Sequence, residues 1–328
     1  MAMVFCNQVM TAHPPWGIVI DKEGNIYFPD ILRDEGSIWK LDNKGNIHQL
    51  IKDIHAHNVD LDSEGNIITA HGEDPHVLIR INKNGSIDTL LVEHNFRAFF
   101  GGNCAWSSNE EVIFGVRENK KLKARNLTGQ IRAISDFEFR WNQTIYVDKE
   151  GMVYAPDIGV DNGIIVKIDL QGNPEVIAQD LITKLDRPKD NHNDVLLGIT
   201  KGSDGYIYIA ETAGKQILKI LEDGSKETFY RSKDEWYPCG IDFFSGDAYI
   251  LESIHTSEGL AGPRIVKIDE SGKKTILFTF DENPKKNQFP MVNLPHSRIN
   301  WIPYILLFLA LDMLIIYFIV RARRTSAF

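Results

Sequence analysis

One unit of sequence recurs six times along this chain, and it restricts the possible fold more than any other feature. Residues 21–30 read DKEGNIYFPD, and residues 148–157 read DKEGMVYAPD. The unit repeats roughly every 40 to 55 residues, which is typical of stacked four-stranded blades. The copies begin at Gly17, Asn58, Asn103, Thr144, Gly198 and Gly240. We therefore predict an all-β, six-bladed propeller of four-stranded antiparallel blades over residues 17–280, after an N-terminal extension, 1–16.

Residues that recur in several copies are expected to serve the fold, because equivalent positions in several blades cannot all be catalytic. The glycine of each turn, such as Gly24, supplies the positive φ of a tight hairpin, and the aspartate before it bonds the turn backbone. Acidic residues also recur at the ends of the second strands, and we expect them to bind the neighbouring loop backbone: Asp30, Asp157, Glu211 and Glu252.

Charge and cysteine content exclude several classes of protein. The net charge is −9, with 45 acidic and 36 basic residues, which argues against nucleic acid as a partner because its phosphates require a basic face. The three cysteines, Cys6, Cys104 and Cys239, cannot build a disulfide framework and lack the CxxC spacing of a zinc site. No nucleotide-binding motif is visible.

A single apolar segment near the C-terminus has the length of a membrane span. Residues 301–320 carry one charge, Asp312, and follow a proline-containing linker, 281–300. The buried carboxylate costs about 2.5 to 3.5 kcal/mol, whereas the Leu, Ile, Phe and Val residues contribute about 4 to 8 kcal/mol in favour of insertion. We therefore predict a single-pass transmembrane α-helix, with lipid as its partner. Asp312 is a candidate contact with a partner inside the membrane.

The side of the membrane that the propeller occupies stays open. Arginines in the tail, 321–328, favour a cytoplasmic C-terminus and an extracytoplasmic propeller. The first 16 residues, however, do not read as a secretory signal, which favours either a start further upstream or a tail-anchored cytosolic propeller.

Function in a propeller is expected at the tunnel mouth, the ring of residues just before each innermost strand, where one ligand touches several blades. Amide, imidazole, thiol and aromatic side chains fall at these positions. The candidate ligand-binding residues are Trp16, His57, Asn58, Asn103, Asn142, Gln143 and Cys239.

The motif P-x-GI-x-x-D-x-x-GNIY at residues 15–27 is similar to NHL-type repeats, and the six-blade arrangement resembles the gluconolactonase and senescence-marker (SMP-30-like) propellers. This resemblance covers about residues 14–280 and implies a lactone hydrolase with one divalent ion, usually calcium, held by a Glu, an Asn and an Asp. The matching positions here carry Trp16, Leu197 and Cys239, while Asn142 matches the substrate asparagine. Because none of the three offers a hard oxygen ligand, metal-dependent hydrolysis does not carry over on these residues.

Two features offer a replacement site. The loop 190–194 is rich in oxygen donors, so Asn193 and Asp194 are candidate metal ligands, although a solvated loop with Asx turns is the favoured explanation. His55 and His57, near His71, would share one side of a strand, as a zinc-ligand pair or a proton-transfer pair requires. His57 and Asp194 are accordingly the candidate catalytic residues, and calcium or another divalent cation is the candidate cofactor.

These observations lead to three hypotheses. The first is a membrane-anchored propeller that binds a small molecule or partner protein at the tunnel mouth. The second is a gluconolactonase-type lactone or ester hydrolase, or a lyase, with a rearranged site that functions with or without a metal ion. The third is a scaffold that joins a membrane complex through Asp312.

Overall fold

The computed structural model describes residues 14–95, 97–99, 104–107, 111–116, 119–126, 128–189, 194–233, 235–256 and 259–280. In this part of the chain all regular structure is β, arranged as six antiparallel sheets of four strands each. Each sheet is one blade and is formed from consecutive strands. The six-bladed, all-β prediction is therefore confirmed.

The strands of the first three blades follow in chain order. Blade 1 contains β1 Val19–Ile20, β2 Ile26–Asp30, β3 Ser37–Leu41 and β4 Ile47–Lys52. Blade 2 contains β5 Val59–Leu61, β6 Ile67–His71, β7 His76–Ile81 and β8 Ile87–Glu93. Blade 3 contains β9 Cys104–Ser107, β10 Glu111–Val116, β11 Lys121–Asn126 and β12 Ile131–Ala133.

The remaining three blades repeat the plan. Blade 4 contains β13 Tyr146–Val147, β14 Val153–Asp157, β15 Ile164–Ile168 and β16 Pro174–Ala178. Blade 5 contains β17 Leu196–Lys201, β18 Ile207–Glu211, β19 Gln216–Ile220 and β20 Lys226–Arg231. Blade 6 contains β21 Trp236–Phe244, β22 Asp247–Thr256, β23 Gly259–Ile268 and β24 Lys274–Thr279.

The turn between the first and second strands of blade 1 shows why the repeat carries Asp and Gly. Gly24 has a φ of 82°, and its N–H donates to the Asp21 carbonyl at 3.0 Å. The Asp21 carboxylate accepts the N–H groups of Glu23 and Asn25 at 3.0 and 2.9 Å. A side chain that bonds its own turn stabilises a tight hairpin without long-range contacts, so this local sequence folds in the same way in several blades.

The core lies between neighbouring blades, where the second and third strands bury both faces. In β2 and β3, Phe28 and Ile38 have no exposed surface, and Trp39 is 2% exposed. Phe28 and Trp39 join a cluster that includes Leu251 and Phe280 from the last blade. Burial of each such side chain contributes about 1.5 to 3 kcal/mol, and the cluster holds the first blade against the last.

The ring closes without a strand exchanged between its ends, because blade 6 takes all four strands from residues 236–279. A hydrogen bond links the last blade to the first: the N–H of Ile20 donates to Oδ2 of Asp242 at 2.9 Å. Contacts across this junction place residues from opposite ends of the chain around one central tunnel.

Three of the four acids that end the second strands bind the neighbouring loop backbone, as predicted. Asp157 accepts the N–H groups of Arg140, Trp141 and Gly159 at 2.7 to 2.9 Å. Glu211 accepts from the backbone of Gly214 and Thr183 in the same manner, and Asp30 accepts from Leu32. Glu252 differs, since the bonds shown for it come from the side chains of Tyr230, Ser232 and Arg264.

No described residue belongs to a helix of the length and apolarity that crossing a membrane requires. The predicted membrane span, 301–320, its linker, 281–300, and Asp312 all lie outside the described residues.

Candidate functional site

The centre of the propeller contains a small cavity of ≈ 70 Å³. Its walls come from the innermost strands of blades 1, 2, 4, 5 and 6 and from the residues just before them. Among the lining residues are Trp16, Gly17, Val19, Asn58, Asp60, Thr144, Tyr146, Gly198, Thr200 and Asp242. Of the residues predicted at the tunnel mouth, Trp16 and Asn58 line this cavity.

Trp16 lies at the tunnel mouth and is only 3% exposed. Its indole stacks on the imidazole of His57, with centroids 4.8 Å apart and planes 16° from parallel. The N–H groups of Trp16 and Gly17 both donate to the His57 carbonyl, at 2.9 and 3.0 Å. Blade 2 thus fixes the backbone and the side chain of Trp16 together.

Two glycines let the backbone at Trp16 pass close to blades 5 and 6. A Cβ at Gly198 would stand 2.6 Å from the Trp16 carbonyl oxygen, and a Cβ at Gly240 would stand closer still. Any larger residue at either position would push the Trp16 segment away. The glycines at the starts of these inner strands consequently serve to hold the aromatic side chain over the cavity.

A row of three side chains, which we call the His–Glu cluster, lies beside Trp16: His57, His55 and Glu73. Nε2 of His55 is 3.1 Å from Nε2 of His57, and Nδ1 of His55 is 3.2 Å from Oε1 of Glu73. With the Nδ1 proton of His55 directed to the carboxylate, Nε2 of neutral His55 accepts the Nε2 proton of His57. The cluster thus connects the stacked pair to a carboxylate that is 65% exposed.

The environment of His55 is partly apolar. Burial lowers the pKa of His55, and the nearby Glu73 carboxylate opposes this shift. The N–H of His55 donates to Nδ1 of His71 at 2.9 Å, and its carbonyl accepts from Gly72 at 2.9 Å. The expectation that His55 and His57 lie in a strand is wrong, because residues 53–58 form an irregular connection. Backbone contacts with residues 71 and 72, instead of strand alternation, bring the two rings together.

Two carboxylates, Asp60 and Asp242, line the cavity below Trp16. Asp242 accepts from Ile20 and from the N–H of Phe243 at 2.8 Å. Asp242 keeps some accessible surface where it lines the cavity, yet protein surrounds it. This burial raises its pKa to about 7, and the charge on Asp60 adds to the shift. The pair places negative charge in a small space.

Sequence reasoning did not identify this pair. A signal for it exists, because Asp60 and Asp242 each stand two residues after the first residue of their repeat unit. Tyr146 and Thr200 occupy the same position in blades 4 and 5. Burial raises the pKa of Tyr146 to about 12, and the Asp242 carboxylate contributes. An alignment of the repeat copies at this position would have indicated that these four side chains line one cavity.

Other candidate residues are engaged in structural contacts. Nδ2 of Asn142 donates to the carbonyls of Thr144 and Pro156 at 2.7 and 3.0 Å. Both carboxylate oxygens of Asp194 accept from Arg187 at 2.8 Å. Gln143 is 7% exposed. Asn193 lies outside the described residues, as does Asn103.

The calcium that the family resemblance implies does not fit the groups at the three matching positions. Trp16 presents an indole, and Leu197 is fully buried. Cys239 is a free buried thiol whose pKa burial raises to about 12, so it stays protonated at neutral pH. Calcium takes six to eight oxygen ligands, which these side chains do not supply. Within the described ranges, no three His, Cys, Asp or Glu residues meet in a metal-binding arrangement.

Comparisons with known proteins identify the fold. No protein-family model matches the chain, and no curated protein matches its sequence. Among solved structures, virginiamycin B lyase from Staphylococcus aureus is 18% identical with a TM-score of 0.54, over 80% of this chain and 83% of that one. The calcium-binding protein regucalcin from Agrobacterium tumefaciens is 12% identical with a TM-score of 0.55, over 75% and 84%. A luciferin-regenerating enzyme is 11% identical with a TM-score of 0.55, over 74% and 84%.

At these identities the likeness shows the fold alone, which this chain builds from six four-stranded blades.

Proposed function

We propose that this chain is a membrane-anchored propeller of SMP-30-like ancestry that binds a small molecule or a partner protein at its tunnel mouth. The observation that carries the proposal is the stack of Trp16 on His57, at a centroid distance of 4.8 Å. At the position where the gluconolactonase family places its metal-binding glutamate, this chain places an indole. A mouth built in this way recognises a ligand by contact and hydrogen bonding instead of through a metal ion.

The ligand is expected on the mouth and not inside the tunnel. The cavity below Trp16 holds ≈ 70 Å³, whereas pockets for small organic ligands hold roughly 300 to 1,000 Å³. The His–Glu cluster supplies accessible polar groups at the mouth, since the side chains of His55 and Glu73 are 21% and 65% exposed. These groups supply an imidazole and a carboxylate next to an apolar floor, a combination suited to an amphipathic ligand.

Anchoring is part of the proposal because of residues 301–320, whose apolar length equals a bilayer span. A tether of this kind would confine the propeller to a membrane, where it meets lipid-soluble molecules or other membrane proteins. Asp312 would contact such a protein within the bilayer.

A screen of small molecules by thermal shift tests the binding function on the full-length protein in detergent. We expect ligands whose stabilisation disappears in Glu73→Gln and in His55→Ala but persists in Glu23→Gln. Glu23 is a matched control because it belongs to the turn after β1, at the opposite end of the strand from the mouth. Ligands that stabilise all variants equally would contradict binding at the mouth.

One observation favours the second candidate, a lactone or ester hydrolase or a lyase. The His–Glu cluster has the form of an acid–base relay, in which Glu73 stabilises charge on His55 and a proton moves between His55 and His57. In this role His57 would exchange a proton with the substrate or with an attacking water molecule. Lyases occur among the propellers that share this fold.

Turnover separates the two candidates. The binding function predicts no hydrolysis of a panel of lactones and aryl esters, and no stoichiometric calcium or zinc in the purified protein. The enzymatic alternative predicts turnover that falls by about 10² to 10⁴ in His57→Ala. Such a loss, with the variant still folded, would replace the first proposal by the second.

A further inference from the structure

A second cavity, which we call the side pocket, lies on blade 4 away from the central tunnel. Its volume is ≈ 230 Å³, more than that of the tunnel cavity. The loop between β14 and β15 forms one wall with Gly159, Asp161 and Asn162, while Trp141 and Lys189 approach from the segments before blades 4 and 5. We infer that the side pocket binds the neutral, polyhydroxylated ring of a monosaccharide, independently of any ligand at the tunnel mouth.

The wall that carries Trp141 is rigid before any ligand arrives. The buried carboxylate of Asp157 accepts the N–H groups of Trp141 and Gly159, each at 2.9 Å. The N–H of Ile158 donates to the Trp141 carbonyl at 3.0 Å. A Cβ at Gly159 would stand 2.6 Å from Cβ of Arg140, so only glycine lets the two segments approach this closely. A preformed wall lowers the entropic cost of binding.

The backbone conformation of the loop between β14 and β15 also occurs in another blade, so it does not by itself indicate a ligand. Asp161 and Asn162 have φ values of 42° and 57°, but Asp34 and Glu35 in blade 1 have the same left-handed conformation. What distinguishes blade 4 is the set of side chains around the loop. These side chains determine what the pocket recognises.

Trp141 supplies the apolar part of the pocket. Its side chain is 44% exposed, although an indole of this size is normally largely buried. An exposed, rigidly held indole presents a flat apolar face together with a polar N–H. The C–H face of a sugar ring can lie on such a surface while its hydroxyl groups point to the polar walls.

Lys189 and Asp161 supply the polar part. Nζ of Lys189 donates to the Ile158 carbonyl at 3.3 Å, which holds the ammonium at the pocket and leaves its other protons available to a ligand. Asp161 is exposed and adds a carboxylate acceptor. A lysine and an aspartate together carry no net charge, which favours a neutral ligand with groups that both donate and accept. Vicinal hydroxyls meet this requirement. The volume of ≈ 230 Å³ lies below the roughly 300 to 1,000 Å³ of pockets for larger organic ligands, so it limits the ligand to a single ring.

The test uses full-length protein in lipid nanodiscs, because many detergents carry sugar headgroups that would compete. Saturation-transfer NMR is recorded with glucose, galactose, mannose and N-acetylglucosamine, and with glycine betaine as a zwitterionic probe that has no hydroxyl groups. We expect at least one neutral sugar to bind with a Kd on the order of 1 mM. Trp141→Ala should weaken binding about tenfold, while Trp141→Phe retains most of it.

Matched variants separate the pocket from the rest of the surface. Asp161→Asn and Lys189→Met should each weaken sugar binding severalfold, whereas Phe229→Ala, which removes an exposed aromatic side chain from β20, and His57→Ala should leave it unchanged. Absence of saturable binding by all four sugars at roughly 50 mM would overturn the inference. Binding that survives Trp141→Ala, or binding of betaine alone, would overturn it equally.

Discussion

Replacing Asp242 by asparagine removes a buried carboxyl group whose protonation differs between the folded and unfolded chain. Burial at the tunnel cavity raises its pKa from the usual 3.8 to about 7. Between these two values the folded state keeps the proton, while the unfolded state has already released it. The stabilising contribution of this proton is therefore complete below pH 3.8 and is lost as the pH rises through 7.

The magnitude follows from the pKa difference, because each unit corresponds to about 1.36 kcal/mol. The whole titration window contributes about 4 kcal/mol, and the part between pH 5 and pH 8 contributes about 3 kcal/mol. The introduced amide would not titrate, and its altered hydrogen bonds to Ile20 and Phe243 change stability by the same amount at every pH. The difference in unfolding free energy between variant and wild type should thus shift by about 3 kcal/mol in favour of Asp242→Asn from pH 5 to pH 8.

Urea unfolding of the full-length protein in detergent, followed by tryptophan fluorescence at several pH values, measures this difference. Asp223→Asn is the control, because Asp223 is exposed and its hydrogen bond with Ser225 lowers its pKa. Asp223 is ionised above pH 5 in both the folded and the unfolded chain. The unfolding free energy of Asp223→Asn should therefore change with pH as that of the wild type does. If the unfolding free energy of Asp242→Asn also changes with pH as that of the wild type does, the raised pKa of Asp242 is refuted.

Three further changes test the fold, the mouth and the membrane segment. Phe28→Ala should lower the unfolding free energy by about 3 to 5 kcal/mol in the same urea assay, since Phe28 is fully buried; a loss below about 1 kcal/mol would contradict the inter-blade core. Gly198→Ala should destabilise far more than Gly45→Ala, whose added methyl meets no atom within 4 Å, so that its cost is limited to the positive φ of 85°; equal midpoints would contradict the close approach of Trp16. Asp312→Leu should abolish association in detergent, measured by light scattering, without changing the propeller's thermal midpoint; unchanged association would exclude a role for this carboxylate.

The propeller could be predicted from the sequence because a repeat carries its structure locally. The turn at Asp21–Gly24 is specified by four adjacent residues, and its recurrence fixes the number of blades. The copy that begins at Asn103 has SSNEE at residues 107–111 in place of the turn glycine, yet the spacing of the copies predicts a blade there, and blade 3 has four strands. The pairing of His55 with His57 was also indicated by spacing, although the backbone there is not a strand.

The arrangement of the site could not be predicted in the same way, because it depends on contacts between blades. Trp16 can stack on His57 because the blades close into a ring and because Gly198 and Gly240 leave space for the Trp16 backbone. Asp60 and Asp242 share a cavity although most of the chain separates them. The structural role of Asn142 could not be predicted, because its side-chain amide donates hydrogen bonds to backbone carbonyl groups, which have no sequence signature.

The position of the Trp16 indole in a crystal grown with millimolar calcium tests the central claim most directly. The account predicts that the indole remains stacked on His57 and that no ion is bound among Trp16, Leu197 and Cys239. An indole displaced from His57, with a calcium ion and its oxygen ligands in the vacated space, would contradict the account and favour a metal-dependent hydrolase.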